Sequence, residues 1–179
     1  MSIPVIQFKG IVYRAHHPKW AFDSLSGEGA KRYGGRFNRP ETSALYTSLD
    51  LTTAWMEAQQ GFPFKAQPMT MVEYEVDCED IVDLNNLETL KSLALTSSEL
   101  ACAWEDLATQ KQDPPTWKLA DKLQALGVNG VKCRSFSPGC SEQNQNLILW
   151  EWSNTTPNLI RVIDDFERLP KSTESWKRN

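Results

Sequence analysis

Five short stretches between residues 13 and 58 decide how this chain is read. They are Tyr13-Arg14, Gly27-Glu28-Gly29-Ala30, Tyr33-Gly34-Gly35-Arg36-Phe37-Asn38, Ala44-Leu45-Tyr46-Thr47-Ser48 and Leu51-Thr52-Thr53-Ala54-Trp55-Met56-Glu57-Ala58. Residues 9–14 alternate and carry Ile11, Val12 and Tyr13, so they read as a strand that ends at the arginine. Residues 16–42 hold four glycines, two prolines and many charges. A loop of that length in a compact domain is usually functional. Residues 44–47 read as a short strand. Asp50 or Ser48 can cap the helix that follows, whose apolar face is Leu51, Ala54, Trp55 and Ala58. Glu57 falls off that stripe, one turn beyond Thr53.

Working outward, residues 61–68 break the pattern. Val72, Tyr74 and Val76 alternate with Glu73, Glu75 and Asp77, as in a strand with one wet face. Residues 81–84 read as a separate short strand. Helices are expected at 87–95 and 98–109, the second capped by Ser97 or Ser98. A third starts at Pro114-Pro115, buries Trp117, Leu119, Leu123 and Leu126, and stops at Gly127. Residues 130–135 and 146–152 read as strands, and 159–163 as the last one. Strands and helices interleave without a regular repeat, which gives an α+β class. One domain is expected over 1–171, followed by a loose tail at 172–179.

The bulk properties narrow the function. At 179 residues with 40% hydrophobic content and seven tryptophans, the chain can bury a real core. A net charge of -4 argues against a general nucleic-acid binder. Lys19, Lys31, Arg32, Arg36 and Arg39 still gather in one stretch. Cys78, Cys102, Cys133 and Cys140 lack C-x-x-C spacing and only two histidines exist, so no metal site is expected. His16 and His17 are adjacent, make a poor metal pair, and read as polar loop residues. Met1-Ser2-Ile3-Pro4 lacks a basic start and an apolar run, and no segment reaches a bilayer-spanning length, so a cytoplasmic protein is expected, with no membrane partner. There is no phosphate-binding Walker loop and no G-x-S-x-G elbow.

What remains is a set of two arginines, two phenols, a glycine pair and one carboxylate. Such groups can hold a dinucleotide and break a glycosidic bond: arginines grip a pyrophosphate, a carboxylate steadies an oxocarbenium-like sugar, and aromatic rings stack on bases. Spacing alone would read Glu57 as a solvated residue, Arg14 and Arg36 as surface cations, and Tyr13 and Tyr46 as core aromatics.

The order of these residues, continued by Arg134-Ser135, resembles the RES-domain family, named for its arginine, glutamate and serine. The resemblance runs from about Tyr13 to Trp150, and its specific motifs lie in the first part. Ala15 and Phe37 depart from its commoner glycine and tryptophan. It implies an α+β domain with a split β-sheet core like that of the ADP-ribosyltransferases, and a toxin that cleaves the nicotinamide–ribose bond of NAD. NAD is then consumed as substrate, not recycled as a cofactor, with water or inorganic phosphate as acceptor. Transfer of ADP-ribose to a protein is the close alternative. The resemblance implies Arg36, Tyr46, Glu57 and Ser135 as catalytic, and Tyr13, Arg14, Gly35, Asn38, Ser48 and Asn146 as holding NAD. It also implies an Xre-type helix-turn-helix antitoxin as partner. A different reading is an RNA-directed module, in which Lys31, Arg32, Arg36 and Arg39 meet phosphates while Tyr33 and Phe37 stack bases.

Overall fold

The structure is a computed structural model, and residues 3–59 and 68–174 are described. The strands are β1 (Ile6–His16), β2 (Leu45–Ser48), β3 (Thr70–Asp83), β4 (Gly130–Arg134), β5 (Gln145–Leu149) and β6 (Asn158–Val162). The helices are α1 (Glu28–Tyr33), α2 (Leu51–Gln59), α3 (Leu87–Leu93), α4 (Ser97–Leu100), α5 (Trp104–Thr109) and α6 (Pro115–Ala125). A mixed α+β domain results.

Strand pairing closes on itself. β1 pairs with both β2 and β3, while β2 continues through β5 and β4 back to β3. Two half-sheets follow, β1–β3–β6 and β2–β5–β4. They are joined by the single pair Tyr13–Ser48 on one side and by parallel β3–β4 pairing on the other. The two segments read separately at 72–77 and 81–84 are one strand. Asp80, with φ +57°, forms an irregularity that β3 absorbs, after which the strand takes β4 as partner. β1 also runs further than expected at both ends.

The space between the half-sheets is filled by Val12, Leu45, Val72, Tyr74, Val76, Leu147, Leu149 and Ile160, all buried. Alternation then turns Ile148 and Cys133 to the opposite face, where Leu90, Leu93, Leu100, Leu119 and Leu123 pack on them. Each such buried aliphatic chain contributes roughly 1.5–3 kcal/mol.

The single helix expected at 98–109 is two, α4 and α5, and its cap is Thr96, which forms a reciprocal capping box with Glu99. Leu126 lies past the end of α6 and is exposed, because the helix turns out at Gly127, where φ is +80°. The long loop at 16–42 contains a 3-10 helix (Pro18–Asp23) and α1. Residues 61–67 of the expected break at 61–68, and the last part of the tail, 175–179, lie outside the described residues.

Candidate functional site

The helix α2 decides the site, and it is turned part-way from the expected hydrophobic stripe. Leu51 and Ala58 are exposed, Thr53 and Ala54 are buried, and Trp55 and Glu57 are half-buried, so polar and apolar side chains share the inward face. Hydrogen bonds hold the polar ones there. Asp50 caps the helix by accepting from the Thr53 backbone N–H at 2.8 Å. Asn144 Nδ2 donates to Thr53 Oγ1 at 2.7 Å. One turn later, Glu57 Oε1 accepts from Ser135 Oγ at 2.6 Å and from Asn146 Nδ2 at 2.5 Å. Asn146 Oδ1 in turn accepts from Ser48 Oγ at 2.7 Å. The polar face of α2 is thus held by the start of β5 and by the residues that flank the β4–β5 connection, with Ser48 of β2 one bond further on.

Glu57 opens into a cleft of ≈ 710 Å³ between the half-sheets and the helices. Tyr13, Arg14, Gly35, Arg36, Tyr46, Ser48, Glu57 and Asn146, all singled out from the sequence, line it. Asn38 and Ser135 stand just behind the wall. Asn38 Oδ1 accepts from the Tyr46 hydroxyl at 2.8 Å, and its Nδ2 donates to the carbonyls of Ala30, Arg39 and Thr42. Tyr46 also accepts from the Phe37 backbone N–H at 2.9 Å, and burial pushes its phenol up from the ordinary value. Its proton is committed to Asn38, so Tyr46 shapes the turn at 35–38. That turn is clamped further by two indole N–H donors, Trp117 to Gly35 O and Trp150 to Phe37 O, both at 2.8 Å. Gly35 fits there because any Cβ would collide with the Tyr46 hydroxyl.

The two arginines are held by backbone carbonyls. Arg14 donates to Ser26 O at 2.9 Å and to Ser24 O at 3.3 Å. Arg36 donates to Leu100 O at 2.9 Å and Cys102 O at 2.7 Å, and its guanidinium lies 4.5 Å above the Phe136 ring. Desolvation lowers both pKa values, and among the described residues neither cation forms a salt bridge with a carboxylate. Two partly desolvated cations without paired carboxylates suit an anionic ligand, which supplies the missing counter-charge. Arg39 differs. It is bidentate to Asp113 at 2.7 and 2.9 Å and bonded to Asp121 at 2.8 Å, and Lys31 is paired with Glu28. Those cations are already committed, which weakens the RNA-directed reading.

His16, expected in a loop, ends β1 and is buried. Tyr74 donates its hydroxyl proton to Ser24 O at 2.8 Å, so His16 Nε2 must carry the hydrogen it shares with Tyr74 at 2.7 Å. Burial first, and then Arg14, depress the His16 pKa to about 3. The folded state therefore keeps this ring neutral, and stability falls as pH drops below the unfolded value of about 6.5 towards 3. Between pH 7 and 4.5, denaturant titration should show the native chain losing on the order of 2 kcal/mol more than His16→Gln. Equal losses would show that the ring is not held neutral.

Sequence reasoning missed one wall altogether. Trp104, Glu105, Ala108 and Thr109 of α5 line the cleft, with Trp104 tilted against Trp117 at 6.5 Å. The sequence signal there is a tryptophan in a short helix with two acidic residues in its first turn. Among the described residues no cluster suits a metal ion, and no helix is long and apolar enough to cross a membrane.

A family model described as RES domain matches residues 11–172. No curated protein matches the chain in sequence. Among solved structures, a chain in the crystal structure of the M. tuberculosis MbcT–MbcA toxin–antitoxin complex superposes with a TM-score of 0.60. It is 19% identical, over 89% of this chain and 84% of that one, a likeness of fold.

Proposed function

The chain belongs to the RES-domain family, and from that premise we propose that it is a toxin-type enzyme that cleaves the nicotinamide–ribose bond of NAD. The observation that carries the reading is one cleft holding Arg14 and Arg36, neither in a salt bridge with a carboxylate among the described residues, together with the hydrogen-bonded carboxylate of Glu57. In this account the arginines take the pyrophosphate, and the ribosyl ring lies against Glu57. Both hydrogen bonds to that carboxylate fall on Oε1, which leaves Oε2 for the substrate. As the glycosidic bond lengthens, nicotinamide leaves with the bonding pair, and the positive charge left on the sugar is stabilised by Glu57. Water or phosphate then bonds to the anomeric carbon, giving ADP-ribose or its phosphate, and NAD is depleted. The closed pairing of two half-sheets supports a split core of the ADP-ribosyltransferase type, with NAD in the cleft that Glu57 opens into.

We further infer that Trp104 offers a ring face to one of the two bases of NAD. Stacking of this kind contributes roughly 1–3 kcal/mol. Trp104→Ala should therefore raise KM for NAD about tenfold and leave kcat within about twofold. An unchanged KM would place the ring outside the substrate's path. The partner this reading implies is an Xre-type antitoxin that silences the enzyme by filling the cleft between Arg14 and Arg36.

The test is incubation of purified protein with NAD, with and without phosphate and with a cell lysate, followed by product identification. ADP-ribose means hydrolysis, ADP-ribose phosphate means phosphorolysis, and a labelled protein means transfer. Unchanged NAD under all three conditions would overturn the proposal.

A further inference from the structure

We propose that Asn146 and Ser48 act as positioning residues for Glu57, and that they serve the rate of bond cleavage instead of the grip on NAD. The inference rests on the NAD-cleaving reading above. An ionised carboxylate only accepts hydrogen bonds, so Asn146 must turn its amide nitrogen to Glu57 Oε1. Its carbonyl oxygen then needs a donor, since Asn146 is only 8% exposed. Ser48, 2% exposed, supplies that donor at 2.7 Å. The hydroxyl thereby fixes which way the amide faces, and the amide fixes the carboxylate.

Sheet register builds this relay. Ser48 and Asn146 are direct partners across β2 and β5, and Cys133, two residues before Ser135, is the partner of Asn146 across β4 and β5. Asn144 holds Thr53 one turn earlier on α2, so the helix is pinned at two successive levels. With both donors on Oε1, the rotamer of Glu57 is set, and Oε2 has no donor among the described residues. Removing the amide leaves Ser135 as the one hydrogen-bond donor to Glu57 among the described residues. A carboxylate aimed by one bond instead of two spends less time against the developing sugar cation, which lowers turnover more than binding.

Steady-state nicotinamide release over a range of NAD concentrations and pH tests this on variants shown to be folded by circular dichroism. Asn146→Ala and Ser48→Ala should each lower kcat about tenfold or more, with KM within about threefold. The double variant should match Asn146→Ala alone, because Ser48 works through the amide. Asn146→Asp keeps the shape but sets a second carboxylate against Glu57, so the pair should retain a proton and the acid limb of the kcat profile should move up by about one pH unit or more. Raised KM with unchanged kcat, additive effects of the two alanines, or an unmoved acid limb would overturn the relay and make both residues ligands of NAD. If the native protein releases no nicotinamide, the NAD reading itself fails, and this assignment fails with it.

Discussion

Glu57→Gln should lower nicotinamide release from NAD by about a hundred- to a thousand-fold while leaving NAD affinity within about threefold. The amide is nearly isosteric, and its oxygen can still accept from Ser135 Oγ and Asn146 Nδ2, so the wall of the cleft keeps its hydrogen bonds. Only the negative charge is lost. That charge matters most when the ribosyl ring turns positive, so its removal is felt in kcat and barely in binding. Paired measurements of turnover and of affinity by calorimetry check both halves. Retained activity would remove Glu57 from the chemistry. Loss of binding together with activity would recast it as a residue that holds the ribose.

Arg36→Lys should lower kcat/KM by roughly ten- to a hundredfold although the charge is kept. Losing charge-assisted bonds of this kind costs about 1.5–3 kcal/mol. The guanidinium reaches two carbonyls, Leu100 O and Cys102 O, with one nitrogen while its plane lies on Phe136. A lysine ammonium cannot stack that way, nor can it hold the backbone and still present further donors to a phosphate. Kinetics near those of the native chain would make Arg36 a structural cation that anchors the segment between α4 and α5.

Much of the fold lay in local patterns. The alternation at Val72, Tyr74 and Val76 and the caps around α6 depend on neighbours in sequence, and they are where expected. The merging of β3 was not legible, because a left-handed Asp80 reads as a break until β1 is seen to pair across it. The site shows the same division. Arg14, Gly35, Arg36 and Tyr46 stand out by their motif, and all four line the cleft. Glu57 on periodicity alone would be solvated. What turns its face inward are donors from Ser135 and Asn146, 78 and 89 residues away in sequence, and no local pattern carries them. Asn38 had a motif but not a role; the structure gives it three backbone carbonyls and the Tyr46 hydroxyl to hold. Trp104 had neither, since its place in the cleft depends on how α5 packs beside Trp117.

The proposed reaction is cleavage of the bond between nicotinamide and ribose in this cleft. It is tested most directly by giving the purified protein NAD labelled in the nicotinamide ring, in the presence of phosphate, and counting free nicotinamide against NAD lost. One nicotinamide released for each NAD consumed, with release lowered about a hundredfold or more in Glu57→Gln, is the expected result. NAD that stays intact, alongside RNA binding that weakens steeply with salt, would contradict it and return the cationic stretch at residues 31–39 to a nucleic-acid role.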